Sequence, residues 1–550
     1  EDYIDFNYER LLPHKFSEYS PALAFGDLNN DGLDDLVIGS DAEEPAKIYL
    51  QNKLGKFTAS AFPPMNRRKP DNRGILLFDA DGDGDLDIYW LSGGNRFAPD
   101  SDNYQDRLFI NDGRANFHED ISALPPNKAS KGVVRAADFD HDGDLDLFIG
   151  GRIVPGSYPD SPGSFLYRND SKNGVVKFTD VTTQYAPGLK NSGLVCDAMW
   201  TDFDNDGWCD LIIAGEWMPV TFYRNNHGHL TDHTLKSGIK NSNGWWNSIT
   251  AGDFDLDGDI DYIIGNNGEN SFYKASAQKP VRLYQNDFDN NGSNDFILTT
   301  YLKGKDGREH EYVSQSRDEL VEQLPALKKK FLTYKAFGEA DFTRFFSEDE
   351  LRSGRVLKAE TLSSCYLEND GHGRFVLHAL PAEAQFAPLN GMVVTDLNDD
   401  GNPDVAIAGN DYGNEITNGR YDAMNGLVML GNGNGGFSVE KTARSGFLLD
   451  GNAKALTAGI GSGNTLLLAG SQHNGPLKIF TQKKHGFLRA QNHEQSAVIT
   501  YRDGRKFRQE FYHGASFLSQ SSRFISVSKN TKAIRFTHMN GKVTRTVNTD

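Results

Sequence analysis

The chain has 550 residues, and its 76 Asp and Glu residues exceed its 57 Lys and Arg residues, giving a formal charge of −19. Hydrophobic residues make up 38% and charged residues 24% of the chain, which excludes wholesale disorder. No apolar run approaches the ~18 residues that a membrane-spanning helix needs. The negative charge argues against nucleic acid as a partner, and three Cys residues are too few for a disulfide framework.

A nine-residue pattern, D-x-[DN]-x-[DN]-G-x-x-D, occurs seven times along the chain. Positions 1, 3, 5 and 9 carry oxygen-bearing side chains, and position 6 is glycine. We refer to these segments as the Asp loops. Their candidate metal ligands are Asp27, Asn29, Asp31 and Asp35; Asp79, Asp81, Asp83 and Asp87; Asp138, Asp140, Asp142 and Asp146; Asp202, Asp204, Asp206 and Asp210; Asp253, Asp255, Asp257 and Asp261; Asp287, Asp289, Asn291 and Asp295; and Asp396, Asn398, Asp400 and Asp404.

Alternating oxygen ligands followed by a glycine turn are typical of a calcium loop. Calcium takes 6–8 hard oxygens, and alternate residues of a tight loop point inward together. A single copy is explained equally well as an Asp- and Gly-rich turn. Seven copies are not, because carboxylates this close repel strongly unless a cation neutralises them. The sequence therefore predicts up to seven calcium ions, with the Asp at position 9 able to bind through both oxygens.

The flanks of the loops decide which calcium fold is expected. An EF-hand has Glu at position 12, whereas the first loop has Ile38 there. Each loop runs into a short β-branched or aromatic stretch such as Leu36–Ile38 or Leu147–Ile149, which is a strand signal. A similar stretch, such as 22–26, precedes the loop. Each Asp loop is therefore predicted to be the tip of a β-hairpin.

A second recurrent element follows the first hairpins, with an apolar and aromatic run, then Asn, Gly and Phe. Its copies contain Asn52, Asn111, Asn169, Asn225, Asn369 and Asn432. Two hairpins per unit predict a four-stranded antiparallel blade, hence an all-β chain forming a calcium-binding β-propeller. A metal-free unit covers 456–470 and continues into 477–487. Counting first hairpins gives eight blades, but the short interval between the fifth and sixth loops favours seven, with eight as the alternative.

These motifs resemble the FG-GAP/VCBS repeats of integrin α-chains and secreted bacterial proteins. Ala24-Phe25-Gly26-Asp27 carries the Phe-Gly signature, and the resemblance covers about residues 20–488. Segments 215–219, 244–248 and 316–320 look similar to long surface proteins of Bacteroidota. Those proteins often end in an ASPIC/UnbV-type tail, which Gly514–Arg523 and Ile534–Lys542 resemble. Phe524–Ser528 departs from the family's glycine-rich stretch.

The expected domains are a propeller over 1–488, a helical insertion within it at 302–361, and a C-terminal ASPIC/UnbV-like β-module at 489–550. The insertion begins a helix with a capping box at Ser316-Arg-Asp-Glu319. Leu320, Leu324, Leu327 and Phe331 share one helical face, and Pro325 should interrupt the helix. Residues 483–550 contain 13 Lys and Arg against 4 Asp and Glu, so we expect a basic module docked on an acidic propeller.

No sequence motif for catalysis is present: there is no nucleophile elbow, zinc helix or phosphate-binding loop. Cys209 is expected to pack toward a sheet. Trp217, Trp245 and Trp246 are packing residues or, alternatively, a sugar-stacking platform. The 302–361 insertion either covers a sheet edge or acts as a lid or partner-docking element.

The favoured function is a non-catalytic, calcium-stabilised extracellular scaffold that binds protein or glycan at a bacterial cell surface. The resemblance implies an accessory lipoprotein of an outer-membrane SusC/SusD-like uptake complex, and a longer chain with an N-terminal portion before Glu1. The alternative is a calcium-dependent polysaccharide lyase or other glycan-active propeller enzyme. A cluster of Arg, Lys, His or Tyr at the central opening would favour the lyase.

Overall fold

The computed structural model describes residues 3–40, 45–63, 71–415, 417–538 and 541–549. The chain is all-β, with 42% strand and 9% helix. Among the described residues, no helix combines the length and the apolar character needed to cross a membrane.

The first four sheets follow one another along the chain, and each is an antiparallel meander. Sheet 1 contains β1 (Leu23–Gly26), β2 (Asp35–Ile38), β3 (Lys47–Gln51) and β4 (Phe57–Ala61); sheet 2 contains β5 (Asp71–Phe78), β6 (Asp87–Gly93), β7 (Arg107–Asn111) and β8 (Phe117–Glu119); sheet 3 contains β9 (Ser130–Ala137), β10 (Asp146–Ile153), β11 (Phe165–Asn169) and β12 (Phe178–Asp180); sheet 4 contains β13 (Leu194–Thr201), β14 (Asp210–Met218), β15 (Thr221–Asn226), β16 (His229–Asp232) and β17 (Gly244–Trp245), which pairs with β14.

The fifth sheet is interrupted by an inserted sheet. Sheet 5 begins with β18 (Ser248–Gly252) and β19 (Asp261–Gly265); the inserted sheet contains β20 (Val281–Asn286), β21 (Asp295–Lys303), β22 (Glu309–Val313) and β23 (Arg355–Ala359); sheet 5 is completed by β24 (Cys365–Asn369) and β25 (Phe375–Ala379). Strand β24 pairs directly with β19. The 34-residue interval between the fifth and sixth Asp loops therefore reflects an insertion between two strands of one sheet.

The remaining strands form two further sheets of the same kind and a C-terminal module. Sheet 6 contains β26 (Leu389–Thr395), β27 (Asp404–Gly409), β28 (Leu427–Gly431) and β29 (Phe437–Glu440); sheet 7 contains β30 (Ala453–Gly461), β31 (Thr465–Gln472) and β32 (Lys478–Lys483); the module contains β33 (Gly486–Arg489), β34 (Ser496–Tyr501), β35 (Lys506–Glu510), β36 (Ser519–Gln520), β37 (Phe524–Val527), β38 (Thr531–Thr537) and β39 (Val543–Asn548).

Helical segments are short throughout the described residues. The α-helices are α1 (Thr182–Tyr185), α2 (Arg317–Gln323), α3 (Leu327–Lys330), α4 (Tyr334–Gly338), α5 (Glu348–Arg352) and α6 (Thr442–Ser445), and single 3-10 turns cover Asp5–Asn7, Asp102–Tyr104, Pro187–Asn191, Thr234–Lys236, Phe342–Arg344 and Ala382–Gln385.

The seven sheets contact one another through their first strands. Each of β1, β5, β9, β13, β18, β26 and β30 lies beside the next, and β30 also lies beside β1. The second strands are almost entirely buried, and β10 and β14 are buried along their whole length. Their sequences are largely continuous apolar runs, because a neighbouring sheet covers each face of every sheet. The arrangement is β-propeller-like.

Residues 513–521 run along these first strands and satisfy their unpaired backbone groups. The amide N–H of Leu77 donates to Gln520 Oε1 (2.7 Å), that of Leu456 to Ser519 Oγ (3.0 Å) and that of Met392 to Ser516 Oγ (2.7 Å). Strand β36 also pairs in parallel with β1. Buried N–H groups need such partners, so the Gly514–Arg523 segment fills the middle of the sheet arrangement.

The insertion differs in extent from the predicted 302–361 segment. Its own sheet begins at Val281 and includes the 287–295 Asp loop between β20 and β21. Within it the predicted capping box at Ser316 is present. Helix α2 ends at Gln323, before Pro325, and the predicted apolar face is buried: Leu320, Leu324, Leu327 and Phe331 are all 5% exposed or less.

The C-terminal module is a four-stranded sheet in the order β35, β34, β38, β39, with β33 paired to β37 beside it. Asp503-Gly504 forms the turn between β34 and β35, as expected for an Asp-Gly dipeptide between two β-prone runs. Asn540-Gly541, a second dipeptide that predicts a hairpin turn from the sequence, lies partly outside the described residues. The predicted metal-free unit continues into 477–487, but Gly486-Phe487 at its end lies in β33, which pairs with β37 and not with β32.

Candidate metal centres

The Asp loops share one internal hydrogen-bond pattern. In the first loop, the position-1 carboxylate of Asp27 accepts the N–H groups of Asp31 (3.1 Å) and Gly32 (2.8 Å). Asp31 in turn accepts the N–H of Leu33 (2.9 Å). The third, fourth, sixth and seventh loops repeat both bonds to position 1. In the second loop position 1 accepts the N–H groups of Gly82 and Gly84, and in the fifth it accepts that of Gly258. In all six of these loops position 5 accepts the N–H of position 7. These bonds wrap the backbone around the side-chain oxygens.

Two positions in each loop adopt a left-handed backbone. At position 6 the glycines have φ between +86° and +101°, as in Gly32 and Gly143. An added Cβ at Gly143 would meet nothing within 4 Å, so the backbone angle and not lack of space requires glycine. Position 4 is also left-handed; it is Asn30, Gly82, His141, Asn205, Leu256, Asn290 and Asp399 in the seven loops.

Several loops bring three carboxylates together. In each such cluster one oxygen per residue lies within 4.8 Å of the others; the clusters are Asp79, Asp81 and Asp87; Asp138, Asp140 and Asp146; Asp202, Asp204 and Asp206; Asp253, Asp255 and Asp257; and Asp287, Asp289 and Asp295. The 27–35 and 396–404 loops carry Asn at position 3 and have no such triad among their described residues. These clusters can bind metal ions, and hard carboxylate oxygens in a tight loop suit calcium.

The Asp at position 9 has a second role that sequence reasoning missed. In the second loop, Asp87 accepts the N–H of Ala80 (2.9 Å) from its own loop and the N–H of Asn111 (2.8 Å) from the second hairpin. The same pair of bonds recurs at Asp35, Asp146, Asp210, Asp261 and Asp404. Both oxygens are thus engaged by the backbone, so this residue ties its loop to the neighbouring hairpin.

Burial raises the pKa of the position-9 carboxyls. The pKa of Asp87 rises to about 8, that of Asp146 to about 9 and that of Asp261 to about 8. Backbone hydrogen bonds oppose the rise, while the neighbouring carboxylates of the same loop add to it. At position 1 burial likewise raises the pKa of Asp202 to about 7. A bound cation would reverse this shift, because it stabilises the ionised form.

The recurrent polar residue of the second hairpin joins adjacent sheets. Its side chain donates to the position-2 carbonyl of the preceding loop: Asn111 to Leu28 (2.9 Å), Asn169 to Ala80 (3.2 Å), Asn225 to Phe139 (2.8 Å) and Asn369 to Phe203 (3.0 Å). Gln482 Nε2 donates in the same way to Leu397 O (2.6 Å), the Gly435 N–H to Phe254 O (3.1 Å), and Gln51 Nε2 to Ile460 O (3.3 Å), which joins sheet 1 to sheet 7.

In sheets 1 and 6 the recurrent Asn of the sequence motif lies one residue after the position that corresponds to Asn111. The structural equivalents of Asn111 are Gln51 and Gly431, not Asn52 and Asn432, because the N–H groups of Gln51 (2.8 Å) and Gly431 (2.9 Å) donate to the position-9 carboxylates.

Basic residues of the C-terminal module contact the Asp loops. The Arg508 N–H donates to Asp253 Oδ2 (2.9 Å), and its guanidinium donates to Asn205 Oδ1. Arg489 donates to Asp34 (2.6 Å), and Arg505 donates to the carbonyl of Asp400 (2.8 Å). The positive charge of residues 483–550 is therefore directed at the acidic loops.

A second polar cluster, away from the Asp loops, joins residues of the segment 11–20 to residues of β10 and β14. His14 Nε2 lies 2.7 Å from Glu216 Oε1, Arg152 donates to the same carboxylate, and the Tyr19 hydroxyl is 3.0 Å from His14 Nδ1. The side chains of His14 and Glu216 are only 12% and 4% exposed. Burial opposes ionisation of Glu216, but Arg152 and His14 outweigh it and lower its pKa to about 2.

The remaining candidate side chains are packing residues. Trp217, Trp245 and Trp246 are 6%, 9% and 0% exposed, so they are not a sugar-stacking platform at the surface. Trp217 packs edge-to-face on Trp245 at 5.0 Å. Cys209 is 2% exposed and packs in the core between sheets 3 and 4, as expected.

Comparison with known proteins supports the repeat assignment. The FG-GAP-like repeat family model matches residues 27–90 and 202–264, which contain the first, second, fourth and fifth Asp loops. Cartilage acidic protein 1 of Mus musculus is 24% identical over 297 residues, covering 50% of this chain and 45% of that protein. The Homo sapiens protein is also 24% identical over 297 residues, covering 50% and 44%. The chain thus matches less than half the length of these relatives.

Solved structures resemble the chain only at low scores. A lectin from Agrocybe aegerita that recognises non-reducing terminal N-acetylglucosamine has a TM-score of 0.37 and 14% identity, covering 85% of this chain and 92% of that one. The V. cholerae biofilm matrix protein Bap1 has a TM-score of 0.27 and 11% identity, covering 95% and 92%. At these TM-scores the likeness carries no argument about function.

Proposed function

We propose that this protein is a calcium-stabilised extracellular scaffold, built as a seven-bladed β-propeller, that binds protein or glycan ligands. The observation that carries the proposal is the repeated coupling of a carboxylate loop to its neighbours. Six of the seven loops are tied to the second hairpin of their own sheet at position 9, and the position-2 carbonyls of these loops accept hydrogen bonds from the following sheet. An ion bound in the loop therefore stiffens a contact between blades as well as a turn.

The count of seven blades depends on the contact between sheet 7 and sheet 1. Sheets 1 to 7 succeed one another through such bonds, and the Gln51 side chain returns from sheet 1 to Ile460 of sheet 7. The inserted sheet, which carries the 287–295 loop, is not counted as a blade, because β24 pairs directly with β19 and so completes sheet 5 without it. The ligand set we propose is the full set of 28 side chains given in the sequence analysis, with up to seven ions.

Location and partner assembly extend the proposal. We place the protein at a bacterial cell surface, with an ASPIC/UnbV-like module over 489–550, as an accessory lipoprotein of an outer-membrane SusC/SusD-like uptake complex. This part derives from the resemblance of its sequence motifs to surface proteins of Bacteroidota. The proposed calcium sites support an extracellular location, because extracellular modules bind calcium at ~0.1–1 mM, a concentration found outside cells.

The second candidate is a glycan-active enzyme, and the cluster of His14, Tyr19, Arg152 and Glu216 is the observation that favours it. These are the residue types a lyase uses. However, the side chains of His14 and Glu216 are buried, and the low pKa of Glu216, held down by Arg152 and His14, makes it a weak base. Residues 513–521 also occupy the middle of the ring. We therefore favour the scaffold.

Thermal unfolding with and without calcium tests the scaffold. At ~1 mM calcium and a dissociation constant of ~0.1 mM, each ion stabilises the folded state by about 1.4 kcal/mol. The five carboxylate triads would then contribute about 7 kcal/mol together. We expect millimolar EDTA to lower the melting temperature by several degrees and added calcium to restore it. An unchanged melting temperature after prolonged dialysis against EDTA would refute the proposal.

A further inference from the structure

We propose that the outer edge of β32, in sheet 7, is a docking site for an extended segment of a partner polypeptide that carries an aromatic and an acidic residue and adds to the sheet as a fourth antiparallel strand. The inference deepens the proposed scaffold function and rests on it, since it names a surface and a class of partner for the scaffold. Strand addition supplies affinity through main-chain hydrogen bonds and specificity through pockets for alternate side chains.

The first observation is an internal comparison within the molecule. In the other six sheets of the ring the third strand is followed by a fourth, antiparallel one: β4, β8, β12, β16, β25 and β29. Sheet 7 ends at β32 within the described parts of the chain. The next segment, Gly486–Arg489, has the Gly-Phe start of a fourth strand but pairs with β37 of the C-terminal module. Its Phe487 packs edge-to-face on Phe524 at 5.3 Å.

The second observation is the direction of the free backbone groups. Strands β31 and β32 pair with Thr465 opposite Lys483, and the Lys484 N–H donates to Asn464 O (2.9 Å). In an antiparallel pair, hydrogen-bonded residues alternate. The N–H and C=O groups of Ile479, Thr481 and Lys483 therefore point away from β31. Their side chains are exposed, Ile479 by 41%.

The third observation is a groove beside this edge. A cavity of about 360 Å³ lies between sheets 6 and 7, and its apolar lining includes Leu430, Phe447, Leu468 and Phe480. Phe480 projects from β32 itself. Every second side chain of an added strand would face the same side as Phe480, because residues paired across a sheet share a face. The groove is thus placed to receive apolar side chains of the occupant.

The sibling strands indicate what the occupant should contain. Each fourth strand places Phe or Leu opposite the end of the third strand: Phe57, Phe117, Phe178, Leu230, Phe375 and Phe437. Several then carry an acidic residue, as in Phe437-Ser-Val-Glu440. An aromatic residue of the occupant placed opposite Lys484 would lie on the groove side, the side of Phe480.

Charge favours a different polypeptide over a second copy of this chain. The Lys483 ammonium contacts only neutral oxygens, Gly463 O and Thr465 Oγ1 (both 2.8 Å), and has no carboxylate partner among the described residues. An acidic residue on the occupant would supply one. Two β32 edges brought together would instead oppose Lys478 and Lys483 with their own copies, and lysines on an edge strand disfavour such self-pairing.

The test uses a labelled synthetic peptide copying Asn434–Thr442, the fourth strand of sheet 6, titrated into the full chain in calcium buffer. By the register above, the amides of Ser438, Glu440 and Thr442 in the peptide would face β32, and that of Val439 would face solvent. We expect saturable binding that weakens at least tenfold when the Glu440 amide is N-methylated, and changes less than threefold when the Val439 amide is. Equal loss with both peptides, or no saturation at millimolar peptide, would overturn the proposal.

Variants of the chain provide the matching controls. Thr481→Pro removes one outward N–H at an edge position that tolerates proline, and should weaken peptide binding at least tenfold while changing the melting temperature little. Lys483→Glu should weaken it as well, whereas Lys56→Glu, at an exposed turn, should not. Binding by Thr481→Pro as tight as wild type would contradict the proposal. So would a wild-type dimer that Thr481→Pro dissociates, since a second copy would then be the occupant.

The two proposals fail separately. A melting temperature that calcium does not change refutes the scaffold function, whether or not the peptide binds. A chain that calcium stabilises but that does not bind the peptide refutes only the strand-addition site.

Discussion

Replacing Asn225 with alanine tests whether the recurrent second-hairpin residue holds adjacent sheets together. Asn225 is fully buried. Its Nδ2 donates to Phe139 O (2.8 Å) in the preceding Asp loop and to Cys209 O (3.0 Å) in its own, and its Oδ1 accepts the Gly228 N–H (2.8 Å). The Asn225→Ala change therefore leaves three backbone groups without their side-chain partner.

Each buried group that loses its partner costs about 1–3 kcal/mol, so we expect a destabilisation of about 3 kcal/mol or more. For a ring of about 480 residues unfolding as one unit, this lowers the melting temperature by about 3 °C. Differential scanning calorimetry in saturating calcium measures the shift. The matched control is Asn226→Ala, whose side chain is exposed one residue further along β15. Equal melting temperatures for the two variants would refute the role assigned to Asn225.

Three further predictions concern the loops and the buried cluster. Folding raises the pKa of carboxyls such as Asp146 to about 9, so the metal-free folded chain binds protons more tightly than the unfolded chain. Its stability should therefore fall as pH rises from about 4 to 9. Melting temperatures measured in EDTA across this range test the prediction, and a melting temperature that rises with pH would contradict it. Gly143→Ala should cost about 1–2 kcal/mol through its left-handed backbone, whereas Gly338→Ala, in open space within α4, should be neutral or stabilising in the same assay. Glu216→Gln should cost about 3–5 kcal/mol because it leaves Arg152 buried without its anion; a change as small as that for the exposed Glu348→Gln would show that the pair is unimportant.

The Asp loops and their flanking strands were predictable from the sequence because their signals are local. Alternating Asp and Asn with glycine at position 6 define the loop, and the apolar run beginning after position 9 defines the following strand. The capping box at Ser316 and the helix end before Pro325 are local signals of the same kind, and the structure contains both.

The long-range features were not predictable because they depend on which strand pairs with which. Nothing in the residues around Gly486 distinguishes a fourth blade strand from a partner of β37, since both are short apolar strands. Likewise, the interruption of sheet 5 by the inserted sheet becomes evident only when β24 is seen to pair with β19. The second role of the position-9 Asp, as an acceptor for the neighbouring hairpin, needs both hairpins in place.

The charge pattern was partly predictable. The excess of Lys and Arg after residue 483 indicated contact with acidic loops, and Arg489 and Arg508 make such contacts. The burial of Glu216 between Arg152 and His14 had no sequence signal, because the three residues lie on separate elements and are far apart along the chain.

The central claim is that the Asp loops hold calcium and thereby fix the ring. Elemental analysis of the purified full chain, equilibrated with calcium and freed of unbound ion, measures this directly. We predict five to seven calcium ions per chain, one for each carboxylate triad and up to one for each of the two loops with Asn at position 3. Fewer than one ion per chain under saturating calcium would contradict the account.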